Sequence, residues 1–283
     1  MKLAGIRRKK EYNMKLAGIR RKTEFSPNHV LNDFLIINRT AEELAKLGAE
    51  VVMYDEDIIS IDVVKEPFIF SMVQGPKGVE KLKKIEEKSQ LVINSAHAVY
   101  NCYRFNMAKL LTQNGIPFPK SFIVNTESYI NAEIDYFNGK KFWIKRGDAH
   151  AVHTEDVTLA YNKEEANGII KEFNTRDIKQ AVLQEHLIGD TVKFYAIREM
   201  NFFYWYHLNG EYHTPFDENK LKNYALQSAE VLGLYVFGGD AVISPKGDIT
   251  IIDINDWPSF APVREQACKL IAQLIYRKVK NYE

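Results

Sequence analysis

The segment GGDAVISPKGDITIIDINDWPS, residues 238–259, gathers side chains that could do chemistry. Two runs rich in β-branched residues flank Pro245, Lys246, Gly247 and Asp248, which read as a four-residue hairpin loop. If Ser244 faces Ile249 across that loop, Val242 stands opposite Ile251, and Asp240 opposite Asp253. Directly opposed side chains in such a pair have Cβ atoms about 4.5–5.5 Å apart, so two carboxylates there repel in an otherwise apolar sheet. Asn255 shares their face by the two-residue period of a strand. Three oxygen-bearing side chains thus converge, and Mg²⁺ or Mn²⁺ is the natural partner of such a set. The competing reading is that an acid faces solvent or that the register is shifted, since a one-residue slip moves every side chain to the other face.

At this hairpin the chain resembles the ATP-grasp enzymes, which carry an acid on one strand and a carboxylate and asparagine two residues apart on the next. Asp240, Asp253 and Asn255 match that pattern; aspartate at 253 is shorter by one methylene than the family's usual glutamate. The resemblance continues through residues 94–124, where a helix leads into Gly115-Ile116-Pro117-Phe118-Pro119. It implies that Arg104 stands where most members have a phosphate-binding lysine, with Lys109 as the weaker substitute. Lys145, ending the run KFWIK, matches the family's second phosphate lysine; taken alone, a lysine at a strand end is more often a solvated charge. In LQEHLIGDTVKFYAIRE, residues 183–199, the resemblance implies that Gln184, Glu185, His186 and Leu187 line adenine. His186 or Asp190 would reach the ribose, and Lys193 or Arg198 would face phosphate or substrate. Arg264 would hold an acceptor carboxylate or an acyl phosphate. One departure stands out: the stretch GDAHAVHTEDV has a single glycine, Gly147, where relatives have a glycine-rich phosphate loop, and it offers His150 and His153 instead. Those histidines read equally well as phosphate donors or as exposed loop residues. Their spacing invites zinc, but no second ligand pair accompanies it.

The elements that must position these groups alternate strand and helix. Residues 15–20, 50–54, 67–73 and 91–94 read as strands, with helices over 78–88 and from Ser26 and Pro27 to Leu47. That rhythm predicts a small parallel sheet with crossover helices. A helix over 103–114 follows. Shorter strands are expected at 121–124, 141–145, 157–160, 182–186 and 191–197, interrupted by a helix at 163–173. The last third reads as a helix over 218–232, the hairpin, and a helix over 263–278. The aromatic run from Phe202 to Tyr206 reads as core and strand surface, with one or two of its rings open to walling a substrate pocket. The expected fold is α/β and α+β: the element order predicts a parallel-sheet N-terminal domain, residues 14–100, and the resemblance implies that an ATP-grasp fold of two lobes follows it. On that resemblance residues 101–186 would form the nucleotide lobe and residues 187–283 the metal lobe.

Composition narrows the function. In 283 residues, 38 basic and 37 acidic side chains leave a net charge of +1, which gives no support to a general nucleic-acid or membrane-surface binder. Two cysteines, Cys102 and Cys268, fit buried thiols of a reducing compartment, so a cytoplasmic protein is expected. Residues 1–9 and 14–22 both read MKLAGIRRK. Residues 1–13 read as a duplicated extension, and without their net charge of +4 the remainder carries −3.

The resemblance implies an ATP-dependent ligase that joins a small-molecule or peptide carboxylate to an amine through an acyl phosphate. A kinase acting on a hydroxyl, and a nucleotide-binding module without turnover, are the alternatives. It leaves a homo-oligomer open.

Overall fold

A computed structural model describes residues 14–26, 28–128, 130–149, 153–209 and 213–282; the first copy of the duplication, Pro27 and His150 lie outside them. Three four-stranded sheets organise the chain. The first is parallel, in the order β2-β1-β3-β4, built from β1 (Lys15–Arg20), β2 (Glu50–Asp55), β3 (Phe68–Ser71) and β4 (Leu91–Ile93). Leu16, Ala17 and Ile19 of β1 have no exposed surface, as expected of a parallel strand covered on both faces. Helices α1 (Val30–Lys46), α2 (Pro76–Glu86), α3 (Ala96–Asn101) and α4 (Arg104–Gln113) accompany this sheet and lead out of it.

Helix α1 starts at Val30, later than Ser26 and Pro27 suggest, with His29 at its N-cap. Ser26 is committed elsewhere: its hydroxyl donates to the buried carboxylate of Asp33 at 2.5 Å. Helix α2 starts two residues earlier than its apolar period suggests, because Pro76 fits the first turn, where no backbone donor is needed.

The second sheet is antiparallel, β5-β8-β6-β7, from β5 (Ser121–Asn125), β6 (Phe142–Arg146), β7 (Val157–Ala160) and β8 (Gln180–Glu185). Helices α5 (Asn131–Tyr136) and α6 (Lys163–Thr175) cover one face, where Ile144, Ala160 and Leu183 meet Ile134, Ile170 and Phe173. By the strand period, Trp143, Lys145 and Gln184 point the other way.

The third sheet, β10-β9-β11-β12, comprises β9 (Asp190–Ile197), β10 (Phe202–His207), β11 (Val236–Ile243) and β12 (Ile249–Asp256). Helix α7 (Glu218–Leu232) seals one face: Val192, Phe194 and Ala196 pack with Leu221, Ala225 and Leu232. The opposite face carries Tyr195 and Ile197 into a core shared with α8 (Arg264–Lys280) and the first sheet, in which Leu16, Ile36 and Phe70 meet Trp257, Ile271 and Ile275. The first and third sheets are therefore one packed unit. Among the described residues no helix is long and apolar enough to cross a membrane.

Register in the β11–β12 hairpin departs from the tight loop expected from sequence. Ile243 pairs with Ile249 and Ala241 with Ile251, one residue out of step. A bulge between Asp240 and Ala241 then restores the count, so that Asp240 faces Asp253 and Gly238 faces Asn255. The opposed carboxylates are present, and Ile252 is the extra residue that aligns them.

Candidate active site

The three oxygen ligands expected from sequence share one end of this hairpin. A Cβ on Gly239 would lie 2.4 Å from the Asp253 carbonyl oxygen, so the strands approach there only because residue 239 has no side chain. Asp240 and Asp253 are drawn from solvent, their side chains 18% and 20% exposed. Burial raises the Asp240 pKa; the charge and hydrogen bond of Lys193 oppose the rise, and Asp253 adds to it.

Three cations surround the acids. Lys193, paired with Asp240 across β9 and β11, places Nζ 2.8 Å from its Oδ1. Burial lowers the Lys193 pKa, but Asp240 outweighs it and the net shift is upward. Arg104, at the start of α4, has Nη2 3.9 Å from Asp253 Oδ2, while its Nε and Nη1 are buried without a hydrogen-bond partner. Lys145 projects from the second sheet and is 8% exposed. No described residue makes a hydrogen bond or ion pair with its ammonium, and burial lowers its pKa to about 8 against the opposing pull of Asp253.

The cleft beside these groups encloses about 980 Å³. Trp143 and Val157 form its wall on the second sheet, with His153, Thr154 and Glu155 nearby. Lys193, Tyr195, Tyr206, Gly239 and Asn255 line it on the third sheet, and Arg21, His29, Asn32 and Gln74 on the N-terminal side. Arg21 ties these parts together. Its Nη1 lies 2.7 Å from Asp33 Oδ2, while Nη2 donates to the carbonyls of Asp256 and Trp257.

The remaining expected residues fall into two groups. Gln184 is buried and donates from Nε2 to Ser121 Oγ at 3.3 Å; Glu185 ends β8 in solvent, and His186 and Leu187 follow, half-buried. The His186 ring lies 5.9 Å from that of Trp143, and burial lowers its pKa. Asp190 accepts a 2.6 Å bond from the Thr214 amide, which lowers its pKa. These five positions run from the end of β8 in the second sheet to the start of β9 in the third.

Arg198 and Arg264 stand apart from the cluster. Arg198 follows the far end of β9, its guanidinium 4.1 Å from the Tyr235 ring centroid. Arg264 opens α8 and donates to Asn32 Oδ1 at 2.5 Å, on the N-terminal flank of the cleft.

The sequence reading missed Trp143, Tyr195 and Arg21, whereas Tyr206 belongs to the aromatic run of which one or two rings were open to walling the pocket. Trp143 lies two residues before Lys145, and Tyr195 two after Lys193, so the strand period was a usable signal. Nothing local announces Arg21, whose carbonyl partners lie 235 and 236 residues away in the chain.

The donor set fits a hard divalent cation. It offers two carboxylates and an amide oxygen, and Asp253 Oδ1 is buried without a hydrogen-bond partner. Among the described residues no group of three or more His, Cys, Asp or Glu side chains is placed to hold a metal, and the third oxygen of this set comes from an amide.

This arrangement of sheets recurs in solved structures. D-alanine–D-alanine ligase from Bacillus anthracis, complexed with ATP, superposes with a TM-score of 0.71 at 13% identity, covering 95% of this chain and 99% of that one. A RimK domain ATP-grasp protein from Sphaerobacter thermophilus DSM 20745 gives 0.70 at 16% identity, covering 93% and 99%. D-cycloserine synthetase DcsG gives 0.70 at 14%, covering 94% and 99%. The chain has the ATP-grasp fold. No family model and no curated protein matches its sequence.

Proposed function

We propose that the protein is an ATP-dependent ligase that joins a carboxylate to an amine through an acyl phosphate. The carrying observation is the meeting of Asp240, Asp253 and Asn255 with Arg104, Lys145 and Lys193 beside a cleft that Arg104, Lys193 and Asn255 line, in an ATP-grasp fold. Ligases among the structural neighbours support the reaction class. A divalent cation on Asp240, Asp253 and Asn255 supplies charge that offsets the charge developing on the transferred phosphoryl group.

The chain's own groups do the rest. Arg104 and Lys145 hold the phosphates together, and Lys193 reaches them from β9. Gln184 to Leu187 line adenine, with the backbone beyond the paired end of β8, at His186 and Leu187, turned to its edge, and Asp190 lies at the ribose end. An acceptor carboxylate oxygen attacks the γ-phosphorus while the bond to ADP breaks. The amine then attacks the acyl carbon, the C–O bond to phosphate breaks, and the amine gives up a proton. Arg264 and Asn32 flank the side where this acceptor would sit. Arg198 takes no part.

Incubating the protein with Mg·ATP and panels of acids and amines tests the reading. Phosphate release that requires both an acid and an amine is the expected result. ADP formed together with a phosphorylated hydroxyl product would replace the ligase with a kinase, and tight ATP binding without turnover on any panel would replace it with a binding module.

A further inference from the structure

The cations around the acids are not equivalent. Arg104 keeps two buried nitrogens without partners, so it can take a phosphate oxygen without giving anything up. Lys193 has no such freedom. Its ammonium lies 2.8 Å from Asp240 Oδ1 and donates to Oδ2 at 3.1 Å, so it covers both oxygens of one metal-ligand carboxylate. A magnesium-sized ion bonds carboxylate oxygen at about 2.0–2.1 Å, and could not share Asp240 with an ammonium held this close without strong repulsion. The side chain has an exit: it is 28% exposed, lines the cleft, and has a four-carbon stem that can swing.

We propose that Lys193 is an internal placeholder for the metal: it neutralises Asp240 while the site is empty, and releases it only when nucleotide phosphate takes the ammonium. This rests on the ligase reading's assignment of metal and nucleotide to the cleft. Metal loading then depends on nucleotide through the chain itself, beyond the affinity of ATP for metal. A lysine that only contacted phosphate would leave nucleotide-free metal binding unchanged on removal.

The test measures Mn²⁺ binding without nucleotide, by the loss of the free-ion electron paramagnetic resonance signal. Lys193→Met is expected to bind Mn²⁺ about tenfold or more tightly than the unsubstituted protein, and a non-hydrolysable ATP analogue more weakly. Lys193→Arg, which keeps the charge, is expected to retain weak nucleotide-free binding. Lys193→Gln replaces Lys193→Met if the latter does not fold. Unchanged or weaker Mn²⁺ binding in the neutral variant overturns the proposal. Asp253→Asn in the Lys193→Met background separates the two readings. Loss of the gained binding supports the placeholder, whereas undiminished binding shows that the metal lies elsewhere and takes down the site assignment too.

Discussion

Two lysines approach one pair of acids from two antiparallel sheets, and their surroundings are opposite. Lys193 stands on the third sheet with a carboxylate 2.8 Å away, and its pKa rises despite burial. Lys145 stands on the second sheet with no ion-pair partner among the described residues, and burial lowers its pKa to about 8. The third sheet, sealed by α7 on one face and by the core around α8 on the other, carries its acids together with a counter-charge. The second sheet is covered by helices on one face only and presents a lone cation on the other. A buried charge without a direct ion pair costs stability, and the pull of Asp253 and Asp240 offsets only part of that cost at Lys145.

The largest effect should come from the acid side. Asp253→Asn removes a charge but little volume, and should cut metal-dependent ATP turnover about a hundredfold or more while leaving the melting temperature nearly unchanged. Phosphate release and a thermal melt check it together; unaltered turnover would remove Asp253 from the metal set.

The lysines should then part in sign. Lys145→Met should weaken ATP binding about tenfold or more, yet stabilise the fold near neutral pH by about 1–3 kcal/mol, because the unpaired buried charge is gone. Lys193→Met should destabilise it by about 1–2 kcal/mol, because Asp240 loses its partner. Denaturant titrations of both variants decide this, and equal shifts would erase the contrast.

The pH profile sharpens the same point. Between about 8 and the ordinary lysine value of 10.5, the unfolded chain binds a proton at Lys145 that the native chain does not. Its contribution to stability therefore rises with pH through that window, while ATP affinity falls as the ammonium deprotonates. Both trends should vanish in Lys145→Met, as calorimetry at a series of pH values would show.

The smallest effect belongs to Arg198→Gln, with turnover changed less than about twofold and about 0.5–1 kcal/mol of stability lost with the Tyr235 contact. A large loss of turnover would bring Arg198 back into the site.

Much of this was legible in the sequence because it depends on short-range periodicity. Asp240 and Asp253 were paired correctly although the loop register assumed for them was one residue out, since the bulge at Ile252 cancels the slip. A bulge leaves no local mark when both flanking runs are β-branched, so the correction could not be read. The start of α1 was misplaced for a related reason: the Ser26 hydroxyl caps nothing and serves Asp33, a choice made by tertiary packing. The N-terminal wall of the cleft was illegible because Arg21 is defined by carbonyls more than 200 residues distant. Where one sheet contributes both partners, pattern sufficed; where the site is shared between ends of the chain, it did not.

The seal that α8 places over the first sheet also has a consequence for how the chain is made. Leu16, Ile36 and Phe70 leave the ribosome some 200 residues ahead of Ile271 and Ile275, which cover them. Until α8 emerges, the apolar face of the opening strands has only α1 as part of its eventual cover, and it is open to chaperones, proteases and aggregation. Full burial of the opening strands therefore waits on α8, which is made long after them.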